Sequence, residues 1–124
     1  LGSTVSLLRY ADGRMELLQT VSALPADFTG ESTGAAIRCI GNTVYSSNRG
    51  HDSVAVFDFT GDGLVLRKTI PVYGSSPRDF IVLDGLLIVT NQFGNCVTFV
   101  SAEDGRLLKK IEMPAPLCVL ADPE

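Results

Sequence analysis

The sequence lacks the clustered basic residues that nucleic-acid binding requires. Its 10 lysines and arginines are outnumbered by 14 acidic residues, and the net charge is −4. Lys109-Lys110 is the only adjacent pair of lysines. Because affinity for a phosphate backbone depends on clustered positive charge, we expect no nucleic-acid partner.

Patterns for metal binding and for disulfide frameworks are also missing. The three cysteines, Cys39, Cys96 and Cys118, are odd in number, and none lies in a CxxC or Cys/His spacing. Each lies in an apolar strand pattern, which favours buried, reduced thiols. The sequence therefore predicts no metal site, and nothing in it indicates a cofactor.

Long apolar runs are absent as well. No run approaches the ~18 residues that a membrane-spanning helix needs, and the N-terminal residues show no signal-peptide pattern. We therefore expect no membrane partner and a cytoplasmic location.

The sequence pattern predicts many short β-strands, and one strand–turn–strand stretch occurs twice. The stretch VYSSNRGHDSVAVFDF (44–59) has a weaker copy, LIVTNQFGNCVTFVSA (87–102). Asn48 lies 43 residues before Asn91, and the valine six residues after each asparagine keeps the same spacing. A repeat of ~40–45 residues with several short strands is typical of a β-propeller blade.

The predicted fold is all-β: a β-propeller fragment with two complete four-stranded blades and a partial blade at each end. The predicted units are 1–23 (half a blade), 35–72 and 78–113 (complete blades), and 117–124 (the first strand of a further blade). Strands such as VAVFDF are apolar on both faces, which suits blades stacked face to face. A closed ring needs roughly 170 to 340 residues. We therefore expect the remainder of a larger propeller, or self-association, to complete the ring.

Three runs, SSNRGHDSVAVF, GSSPRDF and TNQFGNCVTF, resemble the lactonase-family seven-bladed propeller. That family includes propeller-type 6-phosphogluconolactonases and the fungal carboxy-muconate lactonizing enzyme, and the resemblance covers nearly all 124 residues. It implies a hydrolase for a small anionic lactone, 6-phosphogluconolactone above all, in carbohydrate metabolism. Two alternatives stay open: muconate lactone chemistry, and a non-catalytic YVTN-type binding scaffold. The scaffold is favoured by Ala36, where the family often has an acidic residue.

The order of strands in a blade also predicts where functional residues meet. In a four-stranded meander, the turn after the second strand and the connection to the next blade lie on one face. Segments 48–52 and 73–79 should therefore converge there with segment 92–95. The predicted substrate-binding residues are Asn48, Arg49 and Gln92, and the predicted catalytic residues are His51, Arg78 and Asp79.

These residue types suit the opening of an anionic lactone. Arginines bind phosphate or carboxylate in a bidentate way, and His51, the only histidine, can act as general acid or base near neutral pH. His51 or Asp79 could activate water, and Arg78 could hold the developing oxyanion. The alternative interpretation is structural: His51 and Asp52 would tie strands together, and Arg49 would cap a turn or pair with Asp52. Asp79 would then pair with Arg78.

The repeat count generates a first prediction. Blades with uncovered faces expose apolar surface, so the isolated 124-residue chain should associate or be poorly stable. Sedimentation or light scattering measures this directly. A stable, soluble monomer that unfolds cooperatively would contradict it.

Overall fold

The structure is a computed structural model that describes residues 2–123. Within that range the chain forms ten β-strands and no helix, so it has no helix that could cross a membrane. The strands are β1 (Thr4–Ala11), β2 (Arg14–Ser22), β3 (Thr33–Ile40), β4 (Thr43–Arg49), β5 (Ser53–Phe59), β6 (Leu64–Pro71), β7 (Pro77–Leu83), β8 (Leu86–Asn91), β9 (Cys96–Ser101) and β10 (Leu107–Glu112). The predicted all-β class is confirmed.

Two of the three sheets are complete four-stranded blades. Strands β3 to β6 form one antiparallel sheet in sequence order, which we call blade 1, and β7 to β10 form blade 2 in the same way. Strands β1 and β2 pair only with each other and form the half-blade. The predicted propeller fragment of two blades preceded by half a blade is therefore confirmed.

Tight hairpins set the register at several strand ends. Asp12 and Gly13 join β1 to β2 with φ values of 54° and 73°, and Asp84 and Gly85 join β7 to β8 with 48° and 77°. Positive φ at both central residues defines the type I′ turn, whose twist matches that of the flanking strands. Asp-Gly is a preferred pair for this turn, and it fixes which residues face each other in these hairpins.

The core explains why the strands are apolar on both faces. In β5, Val54 and Val56 pack against blade 2, while Ala55 and Phe57 pack against the half-blade. The core between the blades consists of Val54, Val56, Ile70, Val72, Phe80, Leu87, Val89 and Val100, each at most 1% exposed. A sheet covered on both sides has no solvated face, so hydrophobic and polar residues do not alternate along it.

The last segment differs from the prediction. Residues 113–123 contain no strand, because none of the described strands pairs with this segment in a sheet. Val119 instead donates its backbone N–H to Asp79 Oδ2 at 3.1 Å, which places the segment beside blade 2. Leu1 and Glu124, the ends of the two predicted partial blades, lie outside the described residues.

The prediction of buried thiols is wrong for two of the three cysteines. All three are free, but only Cys96 is buried, while Cys39 and Cys118 are exposed. Cys39 lies on β3, the edge strand of blade 1, where one side of the strand has no neighbour in the sheet. Cys118 lies in the segment without strand structure.

Two phenylalanines on β5 provide a matched test of this core. Phe57 is 0% exposed and Phe59 is 36% exposed. Phe57→Ala should reduce the free energy of unfolding by about 3–5 kcal/mol because it leaves a cavity, and Phe59→Ala by about 1 kcal/mol or less. Urea denaturation of the complete protein measures both, and equal losses would contradict the assigned packing.

Candidate active site

Four segments from the two blades converge on a cavity of about 480 Å³ at one face of the sheets. Two precede the first strand of a blade, and two join its second strand to its third, as the strand order predicts. We call this the loop-face cavity. Its walls are formed by Glu31, Ser32, Thr33, Arg49, Gly50, Asp52, Ser75, Ser76 and Phe93.

Asp52 links the two blades across the floor of this cavity. Its Oδ1 accepts hydrogen bonds from the backbone N–H of Gly50 at 3.2 Å and of Ser76 at 2.9 Å. Blade 2 repeats the arrangement, because Asn95 Oδ1 accepts from Ala115 N–H at 2.9 Å. Asp52 thus ties neighbouring segments together, which is the structural role that the sequence analysis gave as its alternative.

The close approach of two loops in blade 1 requires a glycine. A Cβ atom on Gly50, whose φ is +116°, would lie 2.1 Å from the carbonyl oxygen of Glu31. No side chain fits there without displacing the backbone. The loop carrying Arg49 is therefore packed directly on the connection that precedes β3.

Arg49 lies in the cavity wall with its guanidinium partly fixed. Its Nη2 donates to the carbonyl oxygen of Gly34 at 3.2 Å, and its buried Nε has no hydrogen-bond partner. The ion pair with Asp52 considered from the sequence is not among the salt bridges of residues 2–123. Arg49 therefore keeps its positive charge uncompensated by a carboxylate.

Asn48 lies beneath the loop and is not part of the cavity wall. It is 0% exposed, and its Nδ2 donates to Ala23 O at 2.8 Å and to Ser53 Oγ at 3.2 Å. In blade 2, Asn91 Nδ2 donates to Thr98 Oγ1, whose hydroxyl donates to the carbonyl of Val72. The two asparagines tie each blade to the end of the preceding sheet.

His51 is held in a defined orientation beside the cavity. Its Nδ1 shares a hydrogen bond of 2.7 Å with Ser53 Oγ, and its ring packs edge-on against Phe28, with centroids 4.7 Å apart at 80°. Its backbone N–H donates to Ser32 Oγ, which lines the cavity. The Nδ1 bond fixes the plane of the imidazole.

Arg78 lies at a β-bulge. Pro77 pairs with Asn91 and Asp79 with Thr90, so Arg78 has no partner in the register of β7 and β8. Bulges re-aim side chains and are frequent beside active sites. Arg78 is exposed and lies two residues after Ser76, which lines the cavity.

The same irregularity occurs in blade 1. There the register shifts between Gly34 and Ile37, and Ala36 N–H donates to Ser47 Oγ just as Asp79 N–H donates to Thr90 Oγ1. Ala36 is therefore the counterpart of Asp79 one repeat earlier.

Asp79 is bound by three partners from consecutive parts of the propeller. Its Oδ1 accepts from Arg38 Nη2 at 2.6 Å and from Phe80 N–H at 2.9 Å, and its Oδ2 accepts from Val119 N–H at 3.1 Å. The expectation that Asp79 pairs with Arg78 is wrong, because the ion pair is with Arg38. No local sequence pattern indicates Arg38, which lies 41 residues away on a strand without a recognisable motif.

Gln92 and Phe93 lie on the turn of blade 2 that faces the cavity. Gln92 donates its backbone N–H to Ser76 O at 3.0 Å, which holds the turn against the connection before β7. Phe93, which the sequence analysis did not select, is 72% exposed and forms part of the cavity wall. The one feature of the sequence that could have indicated Phe93 is that it is an aromatic residue within a polar turn.

The charged side chains at this face are two arginines, the hydrogen-bonded Asp52 and Asp79, and Glu31, whose exposed carboxylate lines the cavity. The carboxylates of Asp52 and Asp79 accept internal hydrogen bonds, whereas Arg49 and Arg78 have no acidic partner among the salt bridges of residues 2–123. Within the same range, no group of three or more His, Cys, Asp or Glu side chains could hold a metal ion. The arrangement suits a small anionic ligand.

The three-way contact of Asp79 generates a prediction with a matched control. Asp79→Asn removes the charge that holds Arg38 and should reduce the free energy of unfolding by about 1–2 kcal/mol. It should also speed amide exchange at Val119. Asp58→Asn, in the exposed pair with Arg67 at 3.5 Å, should cost at most about 0.5 kcal/mol. Equal effects of the two substitutions on unfolding and exchange would refute the role of Asp79.

A comparison with known protein families identifies this architecture. The family model described as a lactonase, 7-bladed β-propeller, matches residues 1–121. The chain is 38% identical to the 6-phosphogluconolactonase of Bacillus subtilis over 133 aligned positions, covering 96% of this chain and 38% of that protein.

Solved structures give the same result. A protein from Lactobacillus plantarum has a TM-score of 0.84 at 35% identity, covering 95% of this chain and 38% of the other. A protein from Bacteroides fragilis described as a putative 6-phosphogluconolactonase has a TM-score of 0.75 at 30% identity, with 94% and 35% covered. The chain thus spans little more than a third of the length of these proteins. It belongs to the lactonase family of seven-bladed β-propellers.

Proposed function

We propose that the complete protein hydrolyses a sugar lactone that carries an anionic group, with 6-phosphogluconolactone as the first substrate to test. The observation that carries this proposal is the position of Arg49 in the wall of the loop-face cavity, without an acidic partner among the salt bridges of residues 2–123. His51 is hydrogen-bonded to the lining residue Ser32 through its backbone N–H, and Arg78 follows the lining residue Ser76 by two positions. The relative in Bacillus subtilis that bears the name 6-phosphogluconolactonase supports the choice of substrate and a place in carbohydrate metabolism.

In this proposal, His51 is the general base. Its Nδ1 is hydrogen-bonded to Ser53 Oγ, so Nε2 takes the proton of the attacking water. The water oxygen bonds to the lactone carbonyl carbon, and the resulting oxyanion is stabilised by Arg78. The bond from that carbon to the ring oxygen then breaks, and the ring oxygen receives the proton from the imidazolium. The product is the open-chain sugar acid.

Arg49 and Asp79 have supporting roles. Arg49 would bind the phosphate or carboxylate of the substrate, because its guanidinium lies in the cavity wall without an acidic partner. Both oxygens of Asp79 already accept hydrogen bonds, which makes it a poor base. We propose that Asp79 holds β7 in place, and that it thereby also positions the bulge that carries Arg78.

A second candidate function is non-catalytic binding of a sugar acid. It is favoured by the packing of the His51 ring against Phe28 and by Ala36 at the repeat position that Asp79 occupies in blade 2. Turnover of a lactone by the complete protein separates the two functions, because a binding protein would retain the ligand without opening the ring.

Substitution of the two proposed catalytic residues tests the mechanism. In the complete protein, Arg78→Ala should lower kcat/KM about 100-fold because an oxyanion donor is lost. His51→Gln should lower it by a similar factor or more because the base is lost. Spectrophotometric or NMR assays of lactone opening measure both.

The control is Arg67→Ala, on the outer strand of blade 1, where Arg67 pairs with Asp58. It should leave kcat/KM unchanged. Unaltered activity in both Arg78→Ala and His51→Gln would remove these residues from the mechanism.

A further inference from the structure

We propose that Phe93 is the platform on which the ring of the sugar stacks, and that it determines the preference for cyclic over open-chain ligands. This inference rests on the proposed function, because it assumes that the loop-face cavity receives a sugar. It adds a residue to the site that the pattern of charged and polar groups does not reveal.

The exposure of Phe93 is the first observation. Its side chain is 72% exposed although it lies between two complete strands of blade 2. Exposing a large apolar ring forgoes the stabilisation gained by burial, and this ring borders a polar cavity. Phe93 contributes an aromatic surface to a wall otherwise built from polar residues and glycine.

The backbone on both sides of Phe93 is fixed. Gln92 N–H donates to Ser76 O at 3.0 Å, and Gly94 N–H donates to Ser75 O at 3.1 Å. These bonds anchor the turn to the cavity floor, so the ring extends from a positioned backbone. In blade 1 the equivalent repeat position is Gly50, which lies in the wall of the same cavity.

Three residues of the cavity wall have a positive φ, and two of them are not glycine. Positive φ angles occur at Gly50 (116°), Asp52 (56°) and Ser76 (61°). For residues other than glycine, such conformations cost of order 1–3 kcal/mol each and cluster at ligand-binding sites. Ser76 donates its backbone N–H to Asp52 Oδ1 at 2.9 Å, and this hydrogen bond stabilises the backbone conformation of both residues.

The size and polarity of the cavity fit one sugar. Its volume of about 480 Å³ falls within the range of ligand pockets, ~300–1,000 Å³. The carboxylate of Glu31 and the hydroxyl of Ser75 are both exposed in the wall and can bind ligand hydroxyls. Arg49 supplies the positive charge, and Phe93 supplies the flat apolar surface that the C–H face of a sugar ring requires. An open-chain acid has the same charge but no such face.

The stacking role predicts an effect on binding and not on proton transfer. Phe93→Ala in the complete protein should raise KM for 6-phosphogluconolactone about tenfold and leave kcat within about twofold. Calorimetry should show the same tenfold loss for glucose 6-phosphate, a cyclic anion without a lactone bond. Affinity for the open-chain 6-phosphogluconate should change less than threefold. Phe93→Trp, which keeps a ring, should bind glucose 6-phosphate within threefold of the unaltered protein.

Tyr10→Ala is the matched control. Tyr10 is 71% exposed but lies next to the β1–β2 hairpin turn, away from the cavity. It should alter none of these constants.

The possible results separate this inference from the proposed function. If Phe93→Ala binds glucose 6-phosphate as well as the unaltered protein does, or weakens both ligands equally, the stacking role is refuted. Lactone turnover in the unaltered protein then still supports the hydrolase. If the unaltered protein opens no lactone but binds glucose 6-phosphate in a Phe93-dependent way, the hydrolase is refuted and the stacking role stands. Absence of both turnover and binding refutes both.

Discussion

The burial of apolar side chains between blade 1 and blade 2 is the constraint on which the rest of the structure depends. Strand β5 contributes to both of its neighbours, with Val54 and Val56 on one side and Ala55 and Phe57 on the other. We expect a blade to be stable only when its apolar faces are covered. This packing sets the distance between the blades, and therefore the distance between the loops at their ends.

Polar contacts at the loop face repeat with the blades and convert this packing into a defined cavity. Asp52 and Asn95 each accept a backbone hydrogen bond from the next connection, and Asp79 joins Arg38 to Val119. The carboxylates of Asp52 and Asp79 accept hydrogen bonds within the protein, so Arg49, Arg78 and the exposed Glu31 are the charged groups left to meet a ligand. The same contacts thus fix the positions of the loops that line the cavity.

Local sequence patterns were sufficient to predict the fold, because blades are built from short strands joined by tight turns and the repeat spacing of Asn48 and Asn91 is visible directly. The convergence of the loops followed from strand order alone. The partner of Asp79 was not predictable, because Arg38 lies on a different blade. The exposure of Cys39 and the missing strand at 117–121 depend on which neighbours each segment has, and no local pattern records that. Phe93 was missed because an aromatic residue in a turn carries no motif.

We propose that the loop-face cavity is where a sugar lactone binds. A crystal structure of the complete protein with bound 6-phosphogluconate tests it most directly. We predict ligand density in that cavity, with the phosphate or carboxylate within hydrogen-bonding distance of Arg49. Density at the opposite face, near the hairpin turns at 61–63 and 104–105, with the loop-face cavity empty, would contradict it.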